Sequence, residues 1–263
     1  MIYCVLIGTA LAVSAIGFVK YIWFFSVGYG FAIAGIGVAL MVMFRNSLTC
    51  GTLALCILLV LYGVRLGGFL AMRELKSRTY AKFMKGEIKK SSDVPMFVKF
   101  AIWISCVLLY YAETSPVTFR LVNGAETDTV CFVGAAVMLS GLIVETAADV
   151  QKSRWKKQYP DKFCSKGLFR VVRCPNYLGE LIFWTGTLVS GLTVLDSVFQ
   201  WICVCLGYIG IVYVMFSGAR RLELRQNRNY GEDAEYQEYV HRVPILLPFV
   251  PLYSVVKYRF LVA

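Results

Sequence analysis

Hydrophobic residues in this chain come in long runs broken by short polar interruptions. The apolar stretches cover about residues 2–19, 22–44, 48–71, 96–119, 129–149, 175–195 and 199–218. Each is close to the ~20 residues that a helix needs to cross a hydrocarbon core of ~30 Å. The first three are apolar on every face, as lipid-embedded helices are. The pattern predicts an all-α integral membrane protein of about seven transmembrane helices, the first retained rather than cleaved as a signal. Gly28, Gly30, Gly35 and Gly37 in the second run permit close helix approach. They do not fit a G-x-G-x-x-G fingerprint, and no strand precedes them. Pro116 is expected to break the last turn of the fourth run.

After Gly218 the stretch ARRLELRQNRNYGEDAEYQEYV predicts a cytoplasmic helix in which Arg221, Arg225 and Arg228 share a face. The pair Tyr230-Gly231 marks a turn before a second short helix carrying Tyr236 and Tyr239. Prolines at 244, 248 and 251 are too frequent for a spanning helix, so the tail is expected to lie on the membrane surface.

Composition agrees: 58% of residues are hydrophobic and only 16% charged. A net charge of +11 in a soluble protein would suggest nucleic acid; here it is concentrated in loops, where orientation and anionic lipid account for it, and no nucleic-acid partner is expected. The regions 71–96, 150–174 and 219 onward hold 22 of the 27 basic residues. Under the positive-inside rule these three regions are cytoplasmic, which places the N-terminus outside and the C-terminus in the cytoplasm. Nine scattered cysteines without a CxxC predict neither a disulfide framework nor a zinc site. The single histidine, His241, excludes diiron and haem ligation of the usual kind.

Ionisable groups inside apolar runs normally face a polar cavity and mark function. Tyr62, Arg65, Phe69 and Arg73 recur at helical turns. Arg73 can snorkel, whereas Arg65 lies nearly two turns deeper and needs a carboxylate partner or a direct role with a ligand. Glu113, near the end of its run, is read as an interfacial carboxylate in water. The densest set runs from Gly141 to Trp184. Glu145 and Asp149 are four apart, Lys152 and Lys156 extend the same face, and Asn176 and Glu180 are again four apart, flanked by Tyr177 and Trp184. Carboxylates and an amide at membrane depth, with Lys152, Arg154, Lys156, Arg170 and Arg173 at the mouth, suit a nucleotide cofactor; the basic groups can pair with phosphates.

The run G-L-F-R-V-V-R-C-P-N-Y-L-G-E, preceded by E-x-x-A-D and followed by R-N-Y-G-x-x-x-x-Y-x-x-Y-x-x-R-V-P-x-x-x-P, resembles the C-terminal half of the steroid 5-alpha-reductase family. Bacterial members of unassigned substrate look most similar, and sterol and enoyl reductases are further relatives. The resemblance implies a multi-helix membrane enzyme that uses NADPH to reduce a carbon-carbon double bond conjugated to a carbonyl. It implies that Asp149, Asn176 and Glu180, with Glu145 and Tyr177 beside them, hold the nicotinamide and ribose. Lys156 and the residues Arg221, Glu223, Arg225, Tyr236 and Tyr239 would hold the phosphates and adenine. Tyr62 would polarise the substrate carbonyl, with Arg65 orienting it.

The chain departs from the steroid enzymes in having no acid before Glu74, where they bring one from the second helix. Either Glu113 substitutes, or Tyr62 acts alone, or the substrate is not a 3-oxo-steroid. Glu145 stands where those enzymes have an amide, and Cys174 where bacterial relatives have His. On this view the chain is one domain, with residues 1–128 on the substrate side and 129–263 on the cofactor side. It would act, as a monomer in the bacterial inner membrane or the endoplasmic reticulum, on a lipophilic substrate. Isoprenylcysteine-type methyltransferases share the Arg-x-Pro-x-Tyr opening and imply S-adenosylmethionine as the alternative cofactor.

Overall fold

The computed structural model describes residues 1–76 and 94–261, and among these there is no strand. Most of the basic loop expected between the third and fourth runs lies outside the described residues. The helices are α1 Ile2–Ser14, α2 Val27–Met43, α3 Cys50–Lys76, α4 Met96–Val122, α5 Thr129–Gln158, α6 Pro175–Gly191, α7 Val198–Tyr230 and α8 Ala234–Arg242. Four of them, α3, α4, α5 and α7, are long and apolar enough to cross a membrane. The protein is therefore an all-helical, membrane-embedded one.

The chain divides into two compact units, the first made of Met1–Ala135 with Thr187–Tyr208 and the second of Ala136–Gly186 with Ile209–Ala263. Residues 187–208, placed on the cofactor side by sequence, thus pack with the N-terminal helices.

Within the first unit, the first run is shorter than its hydropathy predicts. After Ser14 the chain makes two 3-10 turns, Ala15–Phe18 and Tyr21–Phe25, before α2 begins. Side chains from elsewhere hold this turn. Lys20 pairs with Glu74 of α3, Trp23 Nε1 donates to Glu74 Oε2 at 2.8 Å, and Tyr110 of α4 donates to the Phe24 carbonyl. Where α2 crosses α3, the backbones touch. A Cβ on Gly30 would lie 2.5 Å from the Gly67 nitrogen and 2.8 Å from the Gly63 oxygen. The glycines of the second run are thus a packing device, as read from sequence.

Pro116 does not end α4, which continues to Val122. Proline removes the hydrogen bond to the carbonyl of residue 112. Ser115 Oγ donates to that carbonyl at 2.7 Å, the repair by which prolines are tolerated inside membrane helices. At the end of α4 the fully buried Arg120 donates to the Ser190 carbonyl (2.7 Å), the Glu126 carbonyl (2.9 Å), Thr193 Oγ1 (2.9 Å) and Asp128 (3.1 Å).

In the second unit, α5 and α7 overrun the expected ends. The helix expected to stop at Asp149 reaches Gln158, and the one expected to stop at Gly218 reaches Tyr230, so the predicted cytoplasmic helix is the continuation of α7. No Gly or Pro interrupts either extension except Gly218 itself, and polar helix formers carry the pattern onward. Helix α6 and the backbone of α5 meet at glycine. A Cβ on Gly179 would lie 2.5 Å from the Glu145 nitrogen, and one on Gly141 would lie 2.6 Å from the Gly179 oxygen. The tail after α8 is non-helical and is strapped to the body by Arg173 N–H to the Pro244 carbonyl (2.9 Å) and Cys174 N–H to the Ile245 carbonyl (3.0 Å).

Candidate functional site

Polar groups converge in each unit. In the first, Gly30 of α2 and Gly63 of α3 meet, and their chain neighbours Tyr29 and Tyr62 are brought together with the hydroxyls 3.2 Å apart. Tyr29 also donates to Glu113 Oε2 of α4 at 3.1 Å. All three are buried: Tyr62 is 0% exposed, Glu113 4% and Tyr29 7%. Glu113 is therefore not a carboxylate in water, as its place near the end of the apolar run suggested. Helix α4 extends three residues past the expected end and packs Glu113 inward, onto the phenol of Tyr29. Arg65 is half-buried, with its guanidinium 5.6 Å from the Phe69 ring centroid, and Arg73 lies 5.8 Å from the same ring.

Tyr29 escaped the sequence reading because an isolated tyrosine in an apolar run is unremarkable in composition. A signal was present: the dipeptide Tyr-Gly occurs in both the second and third runs, at 29–30 and 62–63.

In the second unit the α5–α6 glycine contact sets Glu145 against the Gly179 backbone, and Glu145 and Glu180 are both buried. Asp149 is half-buried one turn beyond Glu145. Asn176, half-buried in the first turn of α6, has an enclosed Oδ1 with no hydrogen-bond partner among the described residues. The Tyr177 ring lies on Gly218 of α7, where a Cβ would come 3.2 Å from its Cζ. The charges of Arg221, Glu180 and Arg225 all act on the Tyr177 hydroxyl. Lys152 and Lys156 act together on Cys164, whose thiol burial nevertheless pushes up.

Several expected cofactor ligands are occupied internally. Arg173 is 1% exposed, and its Nη2 donates to Glu223 Oε1 at 2.9 Å and to the Tyr253 carbonyl. Glu223 Oε2 accepts from the Val255 N–H at 2.9 Å. Buried charges survive when paired, and here Nη2 of Arg173 makes the pair and holds the tail, while its Nε and Nη1 have no hydrogen-bond partner among the described residues. Tyr236 donates to Asn227 Oδ1 and Tyr239 to the Phe169 carbonyl, both at 2.7 Å. Burial raises the Tyr236 hydroxyl to about 12 and the Tyr239 hydroxyl as well, so both stay protonated donors. Lys156 Nζ donates to the Tyr230 hydroxyl (2.7 Å) and the Pro160 carbonyl (2.8 Å). Arg154, Arg170, Arg221 and Arg225 are exposed.

Among the described residues, a membrane-embedded helical protein thus carries a buried row of Tyr29, Tyr62 and Glu113 in its first unit and, in its second, buried Glu145 and Glu180 with Asn176 on α5 and α6. The chain belongs to the DUF1295 family, described as of unknown function, whose model matches residues 14–243. No curated protein and no solved structure matches it.

Proposed function

We propose that the protein reduces a carbon-carbon double bond conjugated to a carbonyl in a lipophilic substrate, with NADPH as cofactor. The observation that carries this reading is the Tyr62 phenol, buried in a membrane helix and joined through Tyr29 to the Glu113 carboxyl. A phenol at such depth donates a strong hydrogen bond to an oxygen that gathers negative charge, without itself carrying charge in the resting state.

The second unit fits a nicotinamide nucleotide. The enclosed Asn176 Oδ1 is an acceptor awaiting a donor such as a carboxamide N–H, and a buried acceptor left unmade costs about 1–3 kcal/mol. Asp149 and Glu180 are acceptors for ribose hydroxyls, and Arg154, Arg170, Arg221 and Arg225 are available to phosphates. Arg173 and Glu223 would act by fixing the strap beside this cluster. When bound, the reduced nicotinamide supplies a hydride. Tyr62 would hold the substrate carbonyl and the apolar helices around it would exclude water.

The test is ligand binding by the purified protein in detergent. NADPH is expected to raise the thermal midpoint, and to do so at lower concentration than NADH. Stabilisation by S-adenosylmethionine alone would move the assignment to methyl transfer. Tyr62→Phe is expected to keep NADPH binding and lose turnover of enone lipids; unchanged turnover would remove Tyr62 from the mechanism.

A further inference from the structure

We propose that Tyr29 and Glu113 are the proton supply of Tyr62, with Glu113 as the source and Tyr29 as the link. The purpose of this device rests on the reduction proposed above; its physical basis is the hydrogen-bonded row itself.

Three helices each contribute one ionisable oxygen to the row. Tyr29 of α2 stands in the middle, 3.2 Å from the Tyr62 hydroxyl of α3 and 3.1 Å from Glu113 Oε2 of α4. Apolar side chains of similar volume would pack at least as well, since buried polar groups rarely stabilise more than a hydrophobic replacement. An acid retained within a membrane helix points to function by default. Nearby Tyr110 is not part of the row, because its hydroxyl is committed to the Phe24 carbonyl.

The row can run in two directions. A hydroxyl has one proton to donate and lone pairs that accept. In the arrangement described, Tyr29 donates to Glu113, and between the two phenols either oxygen can be the donor. Reversed, a protonated Glu113 donates to Tyr29 and Tyr29 to Tyr62, so that a substrate carbonyl would take its proton from Tyr62.

The proton balance follows. A bound reduced nicotinamide would supply a hydride to the conjugated double bond, whose electron pair would shift toward the carbonyl oxygen. That oxygen bonds the Tyr62 proton and becomes an enol. The Tyr62 oxygen takes the Tyr29 proton, and Tyr29 takes the proton of Glu113. Glu113 is left as a carboxylate and regains a proton from water, while the enol rearranges to the saturated carbonyl compound. The separations are long for O–H···O bonds, as catalytic hydrogen bonds often are before the substrate binds.

The experiment is infrared spectroscopy of the purified protein without nucleotide, comparing normal and heavy water. A carbonyl stretch of a protonated carboxyl group is expected, absent in Glu113→Gln and shifted in Tyr29→Phe. Tyr62→Phe, two hydrogen bonds away, is expected to shift it less. Turnover should fall about 10²-fold or more in Tyr29→Phe, with NADPH affinity retained. A missing band in the unaltered protein, or a band that neither phenol variant moves, overturns the proposal. A band that moves as expected in a protein that reduces no enone leaves the row standing and refutes the reductase assignment instead.

Discussion

Arg173 is the residue whose surroundings most changed its meaning. By sequence it belonged to a cationic mouth; in the fold it is enclosed with Glu223 and the Tyr253 carbonyl. Removing one member of such a pair leaves an uncompensated buried charge, so Glu223→Ala is expected to destabilise by about 3–5 kcal/mol in chemical denaturation. Loosening of the tail, read by protease sensitivity after residue 243, should accompany it. Replacing both partners with apolar residues of similar volume should restore most of the stability.

Asp128 offers a pH test. Burial opposes its ionisation. Hydrogen bonds from Thr193, the Cys131 N–H and Arg120, with the Arg120 charge, nevertheless bring its carboxyl down to about 2. Its folded value lies below the unfolded value of about 3.9, so its contribution is present above pH 4 and is lost as pH falls through 2. Asp128→Asn should therefore flatten the acid limb of the stability curve in that window. A mutant as acid-sensitive as the parent would show that other carboxylates govern it.

At the scale of elements, two glycine crossings position the chemistry. The α2–α3 contact at Gly30, Gly63 and Gly67 lets the helices approach until Tyr29 and Tyr62 share a hydrogen bond. Gly63→Ala inserts a methyl group against the Ala34 nitrogen at 2.5 Å. Overpacking of this kind costs about 1–3 kcal/mol. It should lower the thermal midpoint and also weaken the coupling of Tyr62 to Glu113, visible as a smaller effect of Tyr62→Phe on the carboxyl band. The α5–α6 crossing at Gly141 and Gly179 does the same for Glu145. Ser115, by donating to the carbonyl left open by Pro116, keeps α4 helical past the proline; Ser115→Ala should cost about 1–3 kcal/mol.

For the whole molecule the charge pattern makes a prediction of its own. If the three basic regions share the cytoplasmic side, a reporter fused after residue 263 should be active only in the cytoplasm. A C-terminus on the opposite face would overturn this topology.

The sequence by itself determined the helical, membrane-embedded character and the places of most helices, because burial of backbone polar groups in lipid requires helices and hydropathy is a local property. It also marked Glu145, Asp149, Asn176 and Glu180 as polar groups within or at the ends of apolar runs, whereas Glu113 read as an interfacial carboxylate until the fold enclosed it. It did not reveal where α1 gives way to 3-10 turns, because the holding groups, Glu74 and Tyr110, lie 50 or more residues away. Nor could it divide the cations, since exposed Arg170 and enclosed Arg173 are three residues apart in one basic linker. Only the tertiary structure joined Tyr29 to Glu113 across 84 residues of chain. That contact depends on how α2 packs against α4, and the depth at which helices meet is set by side-chain packing between segments rather than by the pattern within any one of them.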